Sequence, residues 1–430
     1  VNPRAEERIA NSHFLAVRRH TGVAMRILHT SDWHLGISLR DHPREAEHAA
    51  FLSWLTDTVV EREVDVVLVA GDIFDTANPP SRALTQWYGW LAGLLARRPG
   101  VHVVAIGGNH DSAARLDAPA DLLRALSVHT VGGLRTDEAG EIVIADCIVP
   151  LADGQGVVRA VVGAVPFLGA LSVPEIERVY GRTSAALREL APPEAALLLM
   201  GHCFAVGARA ARRSGDSERM MAGGVEHVPV SVFPEDVAYT ALGHLHLGQE
   251  PGPRVAYSGS PLPLSFSERD YAHRVLLVDL QPQPAGRAVA AVEPLPIPRS
   301  VAVESWPLRG EAAVQLSPAD ALLRVQMRPM AAAGAANLPL VQIRLAPGAT
   351  AVHKREIEEA AVGRDFRCLH VELNTERSAA STIGASRLDE ITPREVFVDE
   401  WARRFPDEPL PDDVLAAFDE AAASVAGEGA

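Results

Sequence analysis

Three cysteines in 430 residues (Cys147, Cys203 and Cys368) share no regular spacing, so they provide no disulfide framework and fit a reducing compartment. Long apolar runs are missing too. No stretch of about 18 residues is free of charges or breakers, which excludes a membrane-spanning helix. Positive charge is in deficit: 40 Lys and Arg against 55 Asp and Glu leave a formal net charge of −15. That balance excludes a bulk electrostatic grip on nucleic acid, so any DNA contact needs local basic patches, metals or a partner subunit. Residues 1–24 lack the continuous apolar core and small-residue cleavage site of a signal peptide, and are expected to be a disordered leader before a first strand at Met25. What is present is a soluble globular composition, 47% hydrophobic and 22% charged, in a chain long enough for two or three domains.

The most informative stretch is Val64–Ala70, a nearly unbroken apolar run that stops at Gly71-Asp72. Such a run suits a strand buried on both faces, and a carboxylate just beyond it sits at the sheet edge where open α/β folds bind ligands. The pattern recurs. A strand at Arg26–Thr30 leads to Asp32-Trp33-His34, Val101–Ile106 leads to Gly108-Asn109-His110-Asp111, Leu197–Met200 leads to Gly201-His202, and Val237–Leu242 leads to Gly243-His244-Leu245-His246. Phe51, Leu52, Leu55, Val59 and Val60 mark one intervening helix, with Pro43 near its start, and Ser81–Arg98 between proline pairs and Pro99-Gly100 marks another. Strand–helix alternation at this rhythm predicts parallel pairing. Further strands are expected at 142–144 and 157–165 and at Arg274–Leu280, and Pro282, Pro284, Pro294, Pro296 and Pro298 are expected to mark a boundary. Beyond it, Val301–Leu308, Pro318–Met327, Leu340–Leu345, Val352–Ala361 and Arg367–Leu373 predict a small α+β unit, followed by a polar stretch and two short amphipathic helices from about Pro393 and Pro411.

Asp32, His34, Asp72, Asn109, His202, His244 and His246 each follow a strand-like segment. Asp-x-His and His-x-His spacings let two side chains of one extended turn face the same cavity. Imidazoles with carboxylates and an amide oxygen suit Mn²⁺, Fe²⁺ or Zn²⁺, and the lack of thiolates argues against a structural zinc. One carboxylate shared by two ions keeps them about 3.5–4 Å apart, as two-metal hydrolysis needs, and Asp72 is the expected bridge. Taken singly, a strand-end Asp or His is more often a cap, and Asn109 between Gly and His looks like an ordinary turn. Five such clusters on successive strands are what carries the metal reading. Cys203, beside His202, is turned away from the site by strand alternation.

The motifs HTSDWHLG (29–36), VAGDIFDTANPPS (69–81), GNHDS (108–112), ALGHLH (241–246) and YSGSPLPLSF (257–266) resemble the calcineurin-like metallophosphoesterase superfamily, and within it the SbcD family, the nuclease half of the bacterial SbcCD complexes. The tail TPREVFVDEWARRF (392–405) resembles the segment with which that family binds its ATPase subunit. The resemblance implies an α/β (α+β four-layer) fold: a β-sandwich flanked by helices, a small capping domain and a helical tail. Its domains would be 1–24 as leader, 25–295 for the nuclease, 296–375 for the DNA-binding cap and 376–430 for the partner-binding segment. It further implies two divalent ions, most simply Mn²⁺: Asp32, His34 and His246 would hold one, Asn109, His202 and His244 the other, and Asp72 both. His110 would stabilise or protonate the leaving oxygen and Asp111 would orient its ring. Asp75 stands where many archaeal and eukaryotic relatives carry His, and Leu247 where some bacterial ones carry a basic residue. Arg209, Arg212 and Arg213, in the loop after His202, are expected to bind DNA phosphates.

The implied activity is a Mn-dependent 3′-to-5′ exonuclease on duplex ends and an endonuclease on single strands or hairpins. Its partners would be DNA and an SbcC-type (Rad50-like) ATPase, in a heterotetramer built on a homodimer, in the cytoplasm and away from membranes. The alternative is a phosphodiesterase or phosphatase for nucleotides or small phosphoesters, which the acidic balance favours and the small unit and tail disfavour.

Overall fold

A computed structural model describes residues 25–169, 171–205, 228–282, 288–311 and 314–374, with a few isolated positions beyond. Residues through Leu373 belong to one compact unit and those from Asn374 to another. Along the chain come β1 (Met25–Thr30), a two-residue hairpin of β2 (Ser38–Leu39) and β3 (His42–Pro43), α1 (Glu45–Glu61), β4 (Val66–Ala70), α2 (Ser81–Arg97) and β5 (His102–Ile106). The short α3 (Ala113–Asp117) and α4 (Ala120–Arg124) precede β6 (Val128–Val131), β7 (Ile148–Ala152), β8 (Val158–Ala164), α5 (Val173–Leu190) and β9 (Ala196–His202). β10 (Tyr239–Gly243), β11 (Gln249–Gly252), β12 (Val255–Tyr257), β13 (Arg274–Pro282) and β14 (Ala288–Pro296) complete the body.

These strands form two six-stranded sheets, ordered β14-β13-β1-β4-β5-β6 and β11-β12-β10-β9-β8-β7. In the first, β1, β4, β5 and β6 run parallel; in the second, β8, β9, β10 and β12 do. All five residues of β4 are buried, as a strand covered on both faces requires. Alternation divides them. Val66, Leu68 and Ala70 face the other sheet beside Leu198, Met200 and Ala241, whereas Val67 and Val69 face α1 and α2. α5 covers the outer face of the second sheet through Ile176, Val179, Tyr180 and Leu187. The result is the expected helix–sheet–sheet–helix stack, and parallel strands whose carboxyl ends share one edge bring the five clusters together.

Three local expectations fail. The prolines after β13 do not end the sheet: Pro294 and Pro296 lie on β14, opposite Leu276 and Arg274. β14 is an edge strand, where a missing N–H breaks no ladder. Ile142 makes only an isolated bridge and Ile144–Cys147 is a 3-10 turn, so the strand lies at β7. Pro43 belongs to β3 rather than to the first turn of α1, whose cap is Arg44.

The small α+β unit consists of β15 (Val303–Trp306), α6 (Pro318–Met327), β16 (Leu340–Leu345), α7 (Ala351–Ala361) and β17 (Arg367–Leu373). Its three strands are parallel and pack on both helices through Trp306, Val325, Ile343 and Ile357. Among the described residues, no helix is long and apolar enough to cross a membrane.

Candidate metal centre

In both x-containing motifs the middle residue anchors the turn in the core while its neighbours face the site. Trp33 is fully buried, donates its indole N–H to Thr30 Oγ1 at 2.8 Å and packs edge-on against Phe51, Trp87 and Trp90. Leu245 is buried against the second sheet's helix layer. The loop after β1 then runs alongside the loop after β4, with Asp32 N, His34 N and Leu35 N donating to the carbonyls of Gly71, Asp72 and Ile73 at 2.9–3.0 Å. Asp32, His34, Asp72 and His244 all adopt left-handed backbone, with φ of 54°, 48°, 51° and 99°. Asp and His enter that region more readily than most side chains, but four at one site is the clustering expected where geometry is held for function. Close approach does the rest. A Cβ at Gly108 would collide with the Asp72 carboxylate and backbone N, and one at Gly243 with the Ala70 carbonyl.

Asp72 Oδ2 lies 3.5 Å from His34 Nε2 and 3.4 Å from His202 Nε2, so one oxygen stands between two histidine sets. Its other oxygen accepts the His110 N–H at 2.9 Å. On one side, ligand atoms of Asp32, His34 and His246 lie within 4.8 Å of one another. On the other, Asn109 Oδ1 is 3.0 Å from His202 Nε2 and 2.9 Å from His244 Nδ1. Donors about 3 Å apart match neighbouring ligands on an ion held at roughly 2.0–2.2 Å. Both ring nitrogens of His34 are buried without a hydrogen-bond partner, and Nε2, which faces Asp72, is the one an ion between them would satisfy. The residues present therefore fit two divalent ions.

Electrostatics agree. Burial opposes charge on Asp72, but the imidazoles of His202, His34 and His110 hold its carboxyl below the usual carboxylate range. Burial also opposes charge on His202, yet Asp72 raises it to about 9. His244, buried beside His202, is pushed down to about 3.

His110 is exposed at the rim, 4.7 Å from His34 ring to ring. Its orienter is not Asp111. His110 Nδ1 donates to the backbone carbonyl of Asp75 at 2.7 Å, and a carbonyl accepts only. Asp111 instead accepts from the backbone N–H groups of Ile73, Phe74 and Gly108 at 2.9–3.1 Å, clamping the loop after β4 to the loop after β5. Cys203 faces away as expected, with its Sγ 3.9 Å from Tyr180 Oη on α5. Arg209, Arg212 and Arg213 lie outside the described residues.

Several supporting residues are given no role by the sequence, even where they fall in its motifs. Ser31 Oγ donates to Asp32 Oδ2 at 2.5 Å and meets Ser258 Oγ at 2.8 Å, which gives the Ser-Gly-Ser-Pro motif a task. Glu268 contacts His246 Nδ1 at 3.1 Å from ten residues beyond Ser258. Phe167 stacks on His244, centroids 6.2 Å apart.

Residues 25–247 match the family of calcineurin-like phosphoesterases. The chain belongs to that family. Its similarity extends to three bacterial SbcD proteins, each the nuclease component of an SbcCD complex. That of Rhodobacter capsulatus is 41% identical over 304 residues, 67% of this chain and 73% of the relative. That of Escherichia coli K12 is 36% identical over 274 residues, 59% of this chain and 64% of the relative. That of Bacillus subtilis is 34% identical over 272 residues, 60% of this chain and 67% of the relative. The chain is therefore a phosphoesterase of the metal-dependent kind, in the SbcD group.

Proposed function

We propose that this chain is the nuclease subunit of an SbcCD-type complex, a Mn²⁺-dependent phosphodiesterase cutting DNA as a 3′-to-5′ exonuclease on duplex ends and an endonuclease on single strands or hairpins. The observation that carries the reading is Asp72 Oδ2, 3.5 Å from His34 and 3.4 Å from His202, in a chain similar to named nucleases. Asp32, His34, His246 and Asp72 would hold one ion, and Asp72, Asn109, His202 and His244 the other. When bound, such a pair polarises a phosphoryl oxygen and lowers the pKa of a water.

The chain's own residues do the remainder. His110 has Nδ1 committed to the Asp75 carbonyl, so Nε2 is the atom that hands a proton to the departing 3′ oxygen. Asp111 keeps the loops of Asp72 and His110 in register through its three backbone bonds. The unit at 296–375 acts as a DNA-binding cap, Arg209, Arg212 and Arg213 contact phosphates, and the tail from 376 binds a Rad50-like ATPase in a cytoplasmic heterotetramer. The test compares Mn²⁺-dependent cleavage of end-labelled duplex and hairpin DNA, with and without the ATPase, against turnover of a chromogenic diester. Cleavage of both DNA forms is expected; turnover of the small diester with DNA left intact would reassign the chain to nucleotides or small phosphoesters.

A further inference from the structure

The two halves of the centre are backed differently. On the Asp32 side, both imidazoles have a carboxylate behind them. His246 Nδ1 is hydrogen-bonded to Glu268 Oε1 at 3.1 Å, whereas His34 Nδ1 lies 3.3 Å from Asp75 Oδ1 without hydrogen-bond geometry, so Asp75 acts there by its charge. Glu268 is 1% exposed and firmly held, its second oxygen accepting the Leu264 N–H at 2.9 Å and Ser265 Oγ lying 3.3 Å from the first. On the Asn109 side, no such carboxylate is found among the described residues. His202 Nδ1 donates to the neutral carbonyl of Ala70 at 2.9 Å, His244 stacks on Phe167, and the third donor is a neutral amide.

A carboxylate behind a ligating imidazole fixes the Nδ1–H tautomer, turns Nε2 to the ion and makes that nitrogen a stronger donor. A backbone carbonyl fixes the tautomer without adding charge. Apart from the shared Asp72, one half thus gathers Asp32, Asp75 and Glu268, and the other gathers no anion among the described residues. We propose that Asp75 and Glu268 are positioning residues that make the halves unequal, so that the Asp32–His34–His246 half holds its ion tightly and the Asn109–His202–His244 half holds its ion loosely. The inference rests on the two-ion reading above.

The test is Mn²⁺ titration of the full, chelator-stripped chain followed by EPR, which counts ions and separates affinity classes without any turnover. Wild type should show a tight and a weak class of one ion each. Glu268→Gln should weaken the tight class about 10–100-fold and leave the weak one in place, and Asp75→Asn should act in the same direction. Asn109→Ala should remove the weak class alone. Asp75, with its side chain 29% exposed, keeps the test valid should Glu268→Gln fail to fold. Two classes of equal affinity, or substitutions at Asp75 and Glu268 that leave the tight class untouched, would overturn the proposal while two-ion binding stood. A wild-type chain that binds fewer than two ions would overturn both this proposal and the function it rests on.

Discussion

The body and the three-stranded unit use the same device, parallel strands with helices crossing between them, yet a metal site grows on one of them. Their left-handed residues show why. In the unit these are Gly310, Gly334, Gly348, Gly363 and Asn337, residue types that enter that region at little cost. At the strand ends of the body they include Asp32, His34, Asp72 and His244, each a candidate ligand. The unit uses left-handed backbone to turn corners; the body does so too, at Arg40, Glu63, Ser127 and Arg254, but at its site uses it to aim donors, at a strain of order 1 kcal/mol per residue. Strand ends alone do not make a site.

The largest effect that would sharpen this contrast comes from Asp72→Asn. Removing the shared charge should cost several kcal/mol of transition-state stabilisation, about a thousandfold or more in kcat, with metal content falling below two ions. Steady-state cleavage together with metal analysis checks it. His110→Ala should lower kcat about 10²–10⁴-fold while both ions stay bound, since its ring is spent on Asp75 and the substrate. Gly108→Ala should displace Asp72 and cost roughly a hundredfold in rate. Its counterpart in the unit, Gly348→Ala, has positive φ but nothing within 4 Å, and should cost about 1–2 kcal/mol of stability with cleavage unchanged. Equal loss of activity from both would break the comparison.

A further effect, away from the site, is on stability in acid. Burial pushes His29 down to about 3, and His48 and His273 to about 4. Their folded pKa values lie below the unfolded value near 6.5, so the unfolded chain binds more protons as the pH falls. Their contribution is whole above about pH 6.5 and is lost as pH drops toward 4, at up to about 1.4 kcal/mol per pH unit for each ring. Thermal melts of metal-free protein from pH 7.5 to 4.5 should show Tm falling across that window, and a flat profile would contradict it.

The seven candidate ligands are legible in the sequence because each closes an apolar run, and strand ends in a parallel sheet share an edge. Their supports are not. Glu268, Ser31 and Ser258 meet the ligands only through folding, across separations such as the 227 residues between the two serines. Adjacency to His110 suggests a side-chain partnership for Asp111, whereas its carboxylate turns back onto three backbone N–H groups. Pro294 and Pro296 look like a boundary because proline resists a central strand, and nothing local says that β14 lies at an edge.

Anomalous diffraction at the manganese edge from Mn²⁺-soaked crystals tests the central claim most directly. Two peaks should flank Asp72 Oδ2, one beside Asp32, His34 and His246 and the other beside Asn109, His202 and His244, about 3.5–4 Å apart. A single peak, or two that do not share the Asp72 carboxylate, would contradict it.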